Sequence, residues 1–581
     1  MGTVKDRMRA LWADQRSWRI RLPLALLTAF TCVFTFLLFG PCEIFIQNMQ
    51  EMPFPFLTLA LVLLLAGAAA FAALLLALLL LRGKAFNFAV SVLFAGTLAG
   101  YLQGNFLNLD HGSLDGNAVY WQSYRFAMLK NLAVWLLVFA GVFFLLYLNR
   151  KLWTRGIELM CAILIGAQTV ALIVLLAQTG LARLGRVGQE TAYVSRDGIY
   201  EVAPENNVIV FLLDRLDNRF TDEVLELHPE WAQRLGGFTY YHDFTGSYAN
   251  TRPSIAYFMT GVQHDYTVPW EDYFDRAWSE PVYQFLPDIH SAGYKTRIYS
   301  DSSYVFGDAG NVEGVVDNIR RDTKTVHRRL MLVKMLVLSA YRYAPEALKP
   351  FFQLYSGELG DVVTVSGDGK ENNLFTVDDV AFWKGYREHG LTVDQDARGV
   401  FQFYHFEGAH SPYVMDENAQ PVEGGTLNGQ ITGNMEMIFR YLDELEEKGL
   451  FDDATIIITT DHARPPGQEG NMGDVNDSRV STLMIKPAGI GRTEPLGVSS
   501  KQVCQDNLRA SIISYCGLDA AAYGRTIESI GEHEQMTRYL WIRGERGDIA
   551  DKLFTFRITG DANDFSNWEL IDEAVMDYWG L

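Results

Sequence analysis

Asn207–Asp214 reads NVIVFLLD. Six apolar residues in a row, without polar alternation, are the pattern of a strand buried on both faces, as in the interior of a parallel sheet. The run stops at Asp214, followed by Arg215, Leu216 and Asp217. Further along, Val400–Phe406 (VFQFYHF) is a second such run and leads into Gly408-Ala409-His410-Ser411-Pro412-Tyr413. Ala454–Thr459 (ATIIIT) is β-branched and leads into Asp461-His462. Gly293–Tyr299 (GYKTRIY), Thr239–Phe244 and Ser481–Ile485 read as further strands. Helical patterns separate them: Thr221–Leu235, and Gly433–Lys448 with Ile438, Leu442 and Leu445 on one face and Gly449 closing it. Strands alternating with helices predict an α/β domain with a mostly parallel sheet.

In such sheets ligands bind beyond the carboxyl ends of the strands. Asp214, His410, Asp461 and His462 all fall at that end. Singly, each has a plain structural role: a helix cap, a surface loop, a polar turn. Jointly they are candidates for one site.

Ser247–Gly261 (SYANTRPSIAYFMTG) supplies the remaining group. Pro253 suits the first turn of a helix, where its missing N–H costs nothing. Asn250 or Thr251 then sits at or beside the N-cap, where free N–H groups and the positive end of the helix dipole favour an anion. Thr251 is either a simple cap or a nucleophile aimed at a phosphate. Two carboxylates, an imidazole and an alkoxide make a sensible shell for Zn²⁺, Mn²⁺ or Mg²⁺.

Ahead of this domain lie five apolar runs, at about Leu22–Phe39, Phe54–Leu81, Ala85–Gln103, Leu129–Leu148 and Ile157–Gln178. Each approaches or exceeds the roughly 18–20 residues that cross a bilayer. The third carries Asn87, Ser91 and Thr97 and is the weakest. Basic residues crowd the N-terminus and the second–third and fourth–fifth links (Arg82, Lys84; Arg150, Lys151, Arg155), whereas the first–second link has Glu43 and Glu51 alone. That alternation predicts a cytoplasmic N-terminus and everything after Gln178 outside. Of the 581 residues, those after Gln178 carry a net charge of −26, within a total of −20. So acidic a region excludes nucleic acid as a partner. Cys504 and Cys516 fall on one expected helix, too far apart for a disulfide, and no cysteine spacing suggests zinc.

These residues carry a resemblance. Strand–Asp214, then Thr251-Arg252-Pro253-Ser254, then Gly408-Ala409-His410-Ser411-Pro412, then Thr460-Asp461-His462 resembles the alkaline phosphatase/sulfatase superfamily. With five spans ahead, it is similar to the lipoteichoic acid synthase type of phosphoglycerol transferase, and to the membrane phosphoethanolamine transferases. Thr251 stands where sulfatases carry a convertible Cys or Ser, which argues against a sulfatase. Asp214 stands where the single-metal transferases often carry Glu. Ala463-Arg464-Pro465-Pro466 replaces the Gly that commonly follows the family's Asp-His.

The resemblance implies one divalent ion, manganese first with magnesium or zinc as alternatives, on Asp214, Thr251, Asp461 and His462. It implies Thr251 as nucleophile, and His410 as a catalytic and substrate-binding residue. Arg252 and Arg297, the latter beside Tyr299, are expected to bind substrate. The expected activity moves a phosphoglycerol or phosphoethanolamine group from a membrane phospholipid to a glycan or polymer acceptor. A metal-dependent hydrolase and a non-catalytic lipid-binding protein are the alternatives. The expected organisation is a cytoplasmic N-terminus (1–21), a five-span membrane domain (22–178), a linker (179–205), a catalytic domain (206–535) outside a bacterial-type plasma membrane, and a C-terminal appendage (536–581).

Overall fold

The computed structural model describes residues 18–49, 52–109, 111, 119, 121–179, 190–279, 284–365, 373–463, 480–544 and 551–577. The basic residues ahead of Trp18, residues 180–189 of the expected linker, and Arg464–Pro466 lie outside these. Two compact units emerge, one made of residues 1–189 with 324–364 and the other of 190–323 with 365–580.

The helical unit contains five helices long and apolar enough to cross a membrane: Trp18–Gln47, Phe56–Leu80, Gly83–Leu107, Trp121–Leu148 and Arg150–Ala177 (spans 1–5). These match the five apolar runs. The polar residues of span 3 face inward: Ser91 is fully buried and Asn87 and Thr97 nearly so. Burying polar groups inside a helix bundle keeps them from lipid, which explains why this span looks weak by composition.

The α/β unit is built on a seven-stranded sheet. Its strands are β1 (Asn207–Leu213), β2 (Thr239–Tyr241), β3 (Tyr294–Tyr299), β4 (Gly399–Phe406), β5 (Thr455–Thr459), β6 (Leu483–Lys486) and β7 (Gly497–Ser499). Their order is β7-β2-β6-β5-β1-β4-β3. β3, β4, β1 and β5 are parallel, and β6 runs against β5 and β2. Every residue of β1, β4 and β5 is buried, as their apolar runs require.

The helices that pack on this sheet or on the bundle include α1 (Thr251–Thr260), α2 (Arg328–Tyr343), α3 (Asp379–His389), α4 (Leu427–Glu447) and α5 (Gln505–Tyr515). One sheet face packs Val208, Val210 and Leu212 of β1 with Ile255, Phe258 and Met259 of α1. The other packs Ile209 and Phe211 with Ile438 and Leu442 of α4. The alternation of a strand's side chains assigns each residue to one of these layers.

Two boundaries differ from those expected. Glu190–Val194 is a strand inside the α/β unit rather than linker, paired with Ile319–Val326. Residues 324–364 belong to the helical unit, so the catalytic domain expected over 206–535 is interrupted. α2, RRLMLVKMLVLSAYRY, is too short and too charged to read as a span, which left its partner illegible. The expected appendage is a three-stranded antiparallel sheet, β8 (Thr537–Arg543), β9 (Lys552–Thr559) and β10 (Trp568–Val575). Cys504 and Cys516 flank α5, and all the cysteines are free.

Candidate active site

Register places the site. Phe406 of β4 lies opposite Leu213 of β1, and Thr459 of β5 opposite Leu212. The three parallel strands therefore end level, and Asp214, Asp461 and His462 leave the same edge side by side. The turn after β4 comes back against β1: the Ala409 N–H donates to the Asp214 carbonyl at 2.7 Å, and the Asp214 N–H to the Phe406 carbonyl at 3.0 Å. Gly408 permits this approach. Its φ is +58°, and a Cβ there would lie 2.6 Å from the Asp214 nitrogen.

The Asp461 turn is held from several sides. Asp461 Oδ1 accepts from the Arg215 N–H (3.1 Å) and the His462 N–H (2.8 Å). Thr460 Oγ1 accepts from the Leu216 N–H at 3.1 Å. The Ser254 hydroxyl, one turn into α1, donates to the Asp461 carbonyl, which ties the helix to the same edge. His462 Nδ1 lies 2.7 Å from the Ala463 carbonyl. A carbonyl only accepts, so Nδ1 carries the proton, and a neutral ring then offers the Nε2 lone pair to the site.

Asn250 is the N-cap of α1 and Thr251 its first residue. The Thr251 hydroxyl lies 3.4 Å from Asp214 Oδ2 and 3.3 Å from His462 Nε2. Ligand atoms of Asp214, Asp461 and His462 all lie within 4.8 Å of one another. Asp214 and Asp461 are buried, yet Asp214 Oδ1 and Asp461 Oδ2 have no hydrogen-bond partner among the described residues. Two converging carboxylates with undonated oxygens beside an imidazole lone pair fit a divalent cation, since buried anions otherwise go uncompensated.

One group was not foreseen. His405 of β4 is 2% exposed and its Nε2 lies 3.6 Å from Asp214 Oδ2, within ion-pair reach. Its Nδ1 is 2.9 Å from the Ser300 hydroxyl. A lone His inside VFQFYHF reads as core; the signal was its position one residue from the strand's carboxyl end. Burial pushes the Asp214 carboxyl up, but the neighbouring His410, His405 and His462 outweigh this and hold it well below the usual carboxylate range. Burial pulls His405 down, and Asp214 outweighs this, so the ring titrates above an ordinary histidine.

Asp214, Thr251, Asp461 and His462 are thus together, and His410 lies in the turn that follows β4. The guanidinium of Arg252 lies over the Trp270 ring, 5.3 Å from its centre. Arg297 is not brought to this cluster. It is 5% exposed and paired with Glu201 (2.7 Å) and Asp394 (3.3 Å), on the sheet face opposite α1. Strand alternation explains this: Thr296 and Ile298 point toward the α1 layer, and Arg297 and Tyr299 away from it.

No protein-family model and no curated protein matches the chain. Solved structures do. A protein of the alkaline phosphatase superfamily from Vibrio parahaemolyticus is similar at 14% identity, covering 66% of this chain and 85% of its own, with a TM-score of 0.39. The phosphonate monoester hydrolase SpPMH from Silicibacter pomeroyi is similar at 12% identity, 62% and 88% coverage and a TM-score of 0.36. For the PsFucS1 sulfatase from Pseudoalteromonas sp. the values are 14%, 63%, 82% and 0.35.

Proposed function

We propose that this chain is a membrane-anchored phosphoryl-group transferase that takes phosphoglycerol or phosphoethanolamine from a membrane phospholipid and passes it to a hydroxyl of a glycan or polymer. The observation that carries the reading is the Thr251 hydroxyl at a helix start, within 3.4 Å of both Asp214 and His462. The five spans of the same chain support a lipid as donor.

Asp214, Asp461, His462 and Thr251 would hold one divalent ion, with manganese preferred. When bound, such an ion supplies positive charge that makes the threonine hydroxyl more acidic and offsets charge on the phosphoryl oxygens. Thr251 Oγ1 forms a bond to phosphorus, and its proton leaves to solvent. The bond from phosphorus to the diacylglycerol oxygen breaks, and that oxygen takes a proton from His410. Thr251 is the first residue of α1, so the positive end of the helix dipole would favour the phosphodiester left on it. His405 Nε2, 3.6 Å from Asp214 Oδ2 and without a hydrogen bond among the described residues, would donate to a phosphoryl oxygen. An acceptor hydroxyl then gives its proton to His410 and attacks phosphorus; the bond from phosphorus to Thr251 Oγ1 breaks, and that oxygen regains a proton from solvent, which restores the threonine hydroxyl.

The alternation of basic residues supports a cytoplasmic N-terminus with the α/β unit outside the plasma membrane. Detergent-purified protein incubated with labelled phosphatidylglycerol and phosphatidylethanolamine, with and without a polyol acceptor, tests the reading. Transfer expects label on the acceptor and release of diacylglycerol. Release of free phosphoglycerol alone, unchanged by acceptor, would make the protein a hydrolase. Intact lipid with bound manganese would remove the enzyme assignment.

A further inference from the structure

The chain leaves the α/β unit at 323–324 and returns to it at 364–365. Between these points it packs against one end of the helix bundle. Met331 and Met335 of α2 join Cys42 and Phe45 of span 1 and Phe56 and Leu59 of span 2 in one core. These residues sit where span 1 ends and span 2 begins, the end opposite Trp18. Span 3 ends at the same level. There Tyr343 fits a cradle of small residues: a Cβ on Gly40 would lie 2.6 Å from its ring, and one on Gly104 would overlap it.

Polar anchors fix this position. Arg342 pairs with Glu43 at 3.0 Å, and Ser339 donates to the Phe36 carbonyl at 2.7 Å, inside a π-helical stretch of span 1. Past α2, Ala344-Pro345 stops the helix and a 3₁₀ stretch, Glu346–Phe352, follows. Glu346 is fully buried. It accepts from Gln103 of span 3 (2.8 Å), and its N–H donates to Asn131 of span 4 (3.1 Å).

On the outward side the same segment shows apolar residues to its surroundings: Phe351 is 80% exposed, Val333 49% and Leu348 46%. Span residues at that end are equally bare, with Phe106 at 73%, Phe126 at 67% and Leu129 at 63%. In a chain whose spans lie in lipid, apolar side chains this exposed suit acyl chains rather than water.

We propose that residues 326–363 form an in-plane membrane strap, lying on the leaflet opposite the N-terminus with Phe351, Leu348 and Val333 in its acyl region. The occupant of this face is the lipid surface. An amphipathic segment with apolar residues on one side and Arg328 and Arg329 exposed at its start suits that boundary. Its consequence follows from connectivity: both ends of the strap run on into the α/β unit, so that unit is tethered to the bilayer at 323–324 and 364–365 as well as after span 5.

The test uses the full chain in vesicles of phosphatidylcholine with a minor fraction of phosphatidylglycerol. Phe351→Cys and Leu348→Cys carry an NBD label, with Val498→Cys, 70% exposed in the α/β unit, as reference. Unlabelled wild type, whose cysteines are buried or half-buried, sets the background. The strap expects blue-shifted emission at 351 and 348, quenched severalfold by brominated acyl chains, with 498 unaffected. Water-like, unquenched emission at 351 and 348, or equal quenching at 498, would overturn it.

Discussion

Thr251 is the residue on which the chemistry turns. Thr251→Ala removes one hydroxyl from a site otherwise held by Asp214, Asp461 and His462. Lipid turnover is expected to fall by about 10³-fold or more, as when a nucleophile is deleted, while metal content by elemental analysis stays close to wild type. A Thr that merely caps α1 would lower stability and leave turnover per folded molecule intact. Away from the site, His242 and Asp222 form a half-exposed pair at 2.8 Å. The hydrogen bond to Asp222 raises His242 above its ordinary value, and burial opposes this only in part. A raised histidine stabilises the fold fully below its unfolded pKa of about 6.5, and the gain is lost as pH rises through the folded value. Asp222→Asn is therefore expected to destabilise the fold more at pH 6 than at pH 9, by about 0.5 kcal/mol after solvent screening, read as a larger drop in melting temperature at pH 6. At this scale the sequence was legible where chemistry broke a pattern. Asp214, Asp461 and His462 stood out as polar residues ending apolar strands. His405 did not, because a buried imidazole within a strand leaves no break, and Arg297 misled because alternation, not proximity in sequence, decides which face a side chain serves.

Among the elements, the C-terminal sheet has a role its sequence did not announce. Trp541 of β8 pairs with the chain just ahead of α1: its N–H donates to the Ser247 carbonyl at 2.8 Å, and the Ala249 N–H donates to its carbonyl at 3.2 Å. Arg538, 1% exposed, grips Asp243 through two side-chain contacts of 2.6 and 3.2 Å. The loop that presents Thr251 is thus clamped by residues nearly 300 positions later. Arg538→Met leaves Asp243 buried and unpaired. It is expected to destabilise the α/β unit by roughly 3–5 kcal/mol, read as a lower melting temperature and faster proteolysis. An unchanged melting temperature would show that the pair contributes nothing. The strands and α1 were readable because local periodicity encodes them. This clamp was not, because it joins Ser247 to Trp541 and Asp243 to Arg538 by contacts that no local pattern records.

At the scale of the whole molecule, a five-helix bundle and an α/β unit share one chain that passes between them more than once. The spans were legible from apolar length alone. The return of 324–364 to the bundle was not, because its hold is a handful of long-range pairs such as Arg342–Glu43 and Glu346–Gln103. A bound ion couples the site to global stability, because ligand held only by the folded state stabilises it by about 2.7 kcal/mol at a hundredfold excess over its dissociation constant. Dialysis against a chelator is expected to lower the melting temperature of the wild type, and manganese to restore it. Asp461→Asn is expected to melt at the same temperature with and without chelator. A wild type indifferent to chelation would mean that the Asp214–Asp461–His462 cluster holds no ion.

The central claim is that Thr251 carries the phosphoryl group between donor and acceptor. Manganese-loaded full-length protein, incubated with phosphatidylglycerol without acceptor, quenched in acid, digested and mapped by mass spectrometry, tests it directly. A phosphoglycerol mass on the peptide containing Thr251, absent in Thr251→Ala and chased away by added acceptor, is the expected result. Lipid turnover with no adduct on that peptide, or an adduct on another residue, would contradict it.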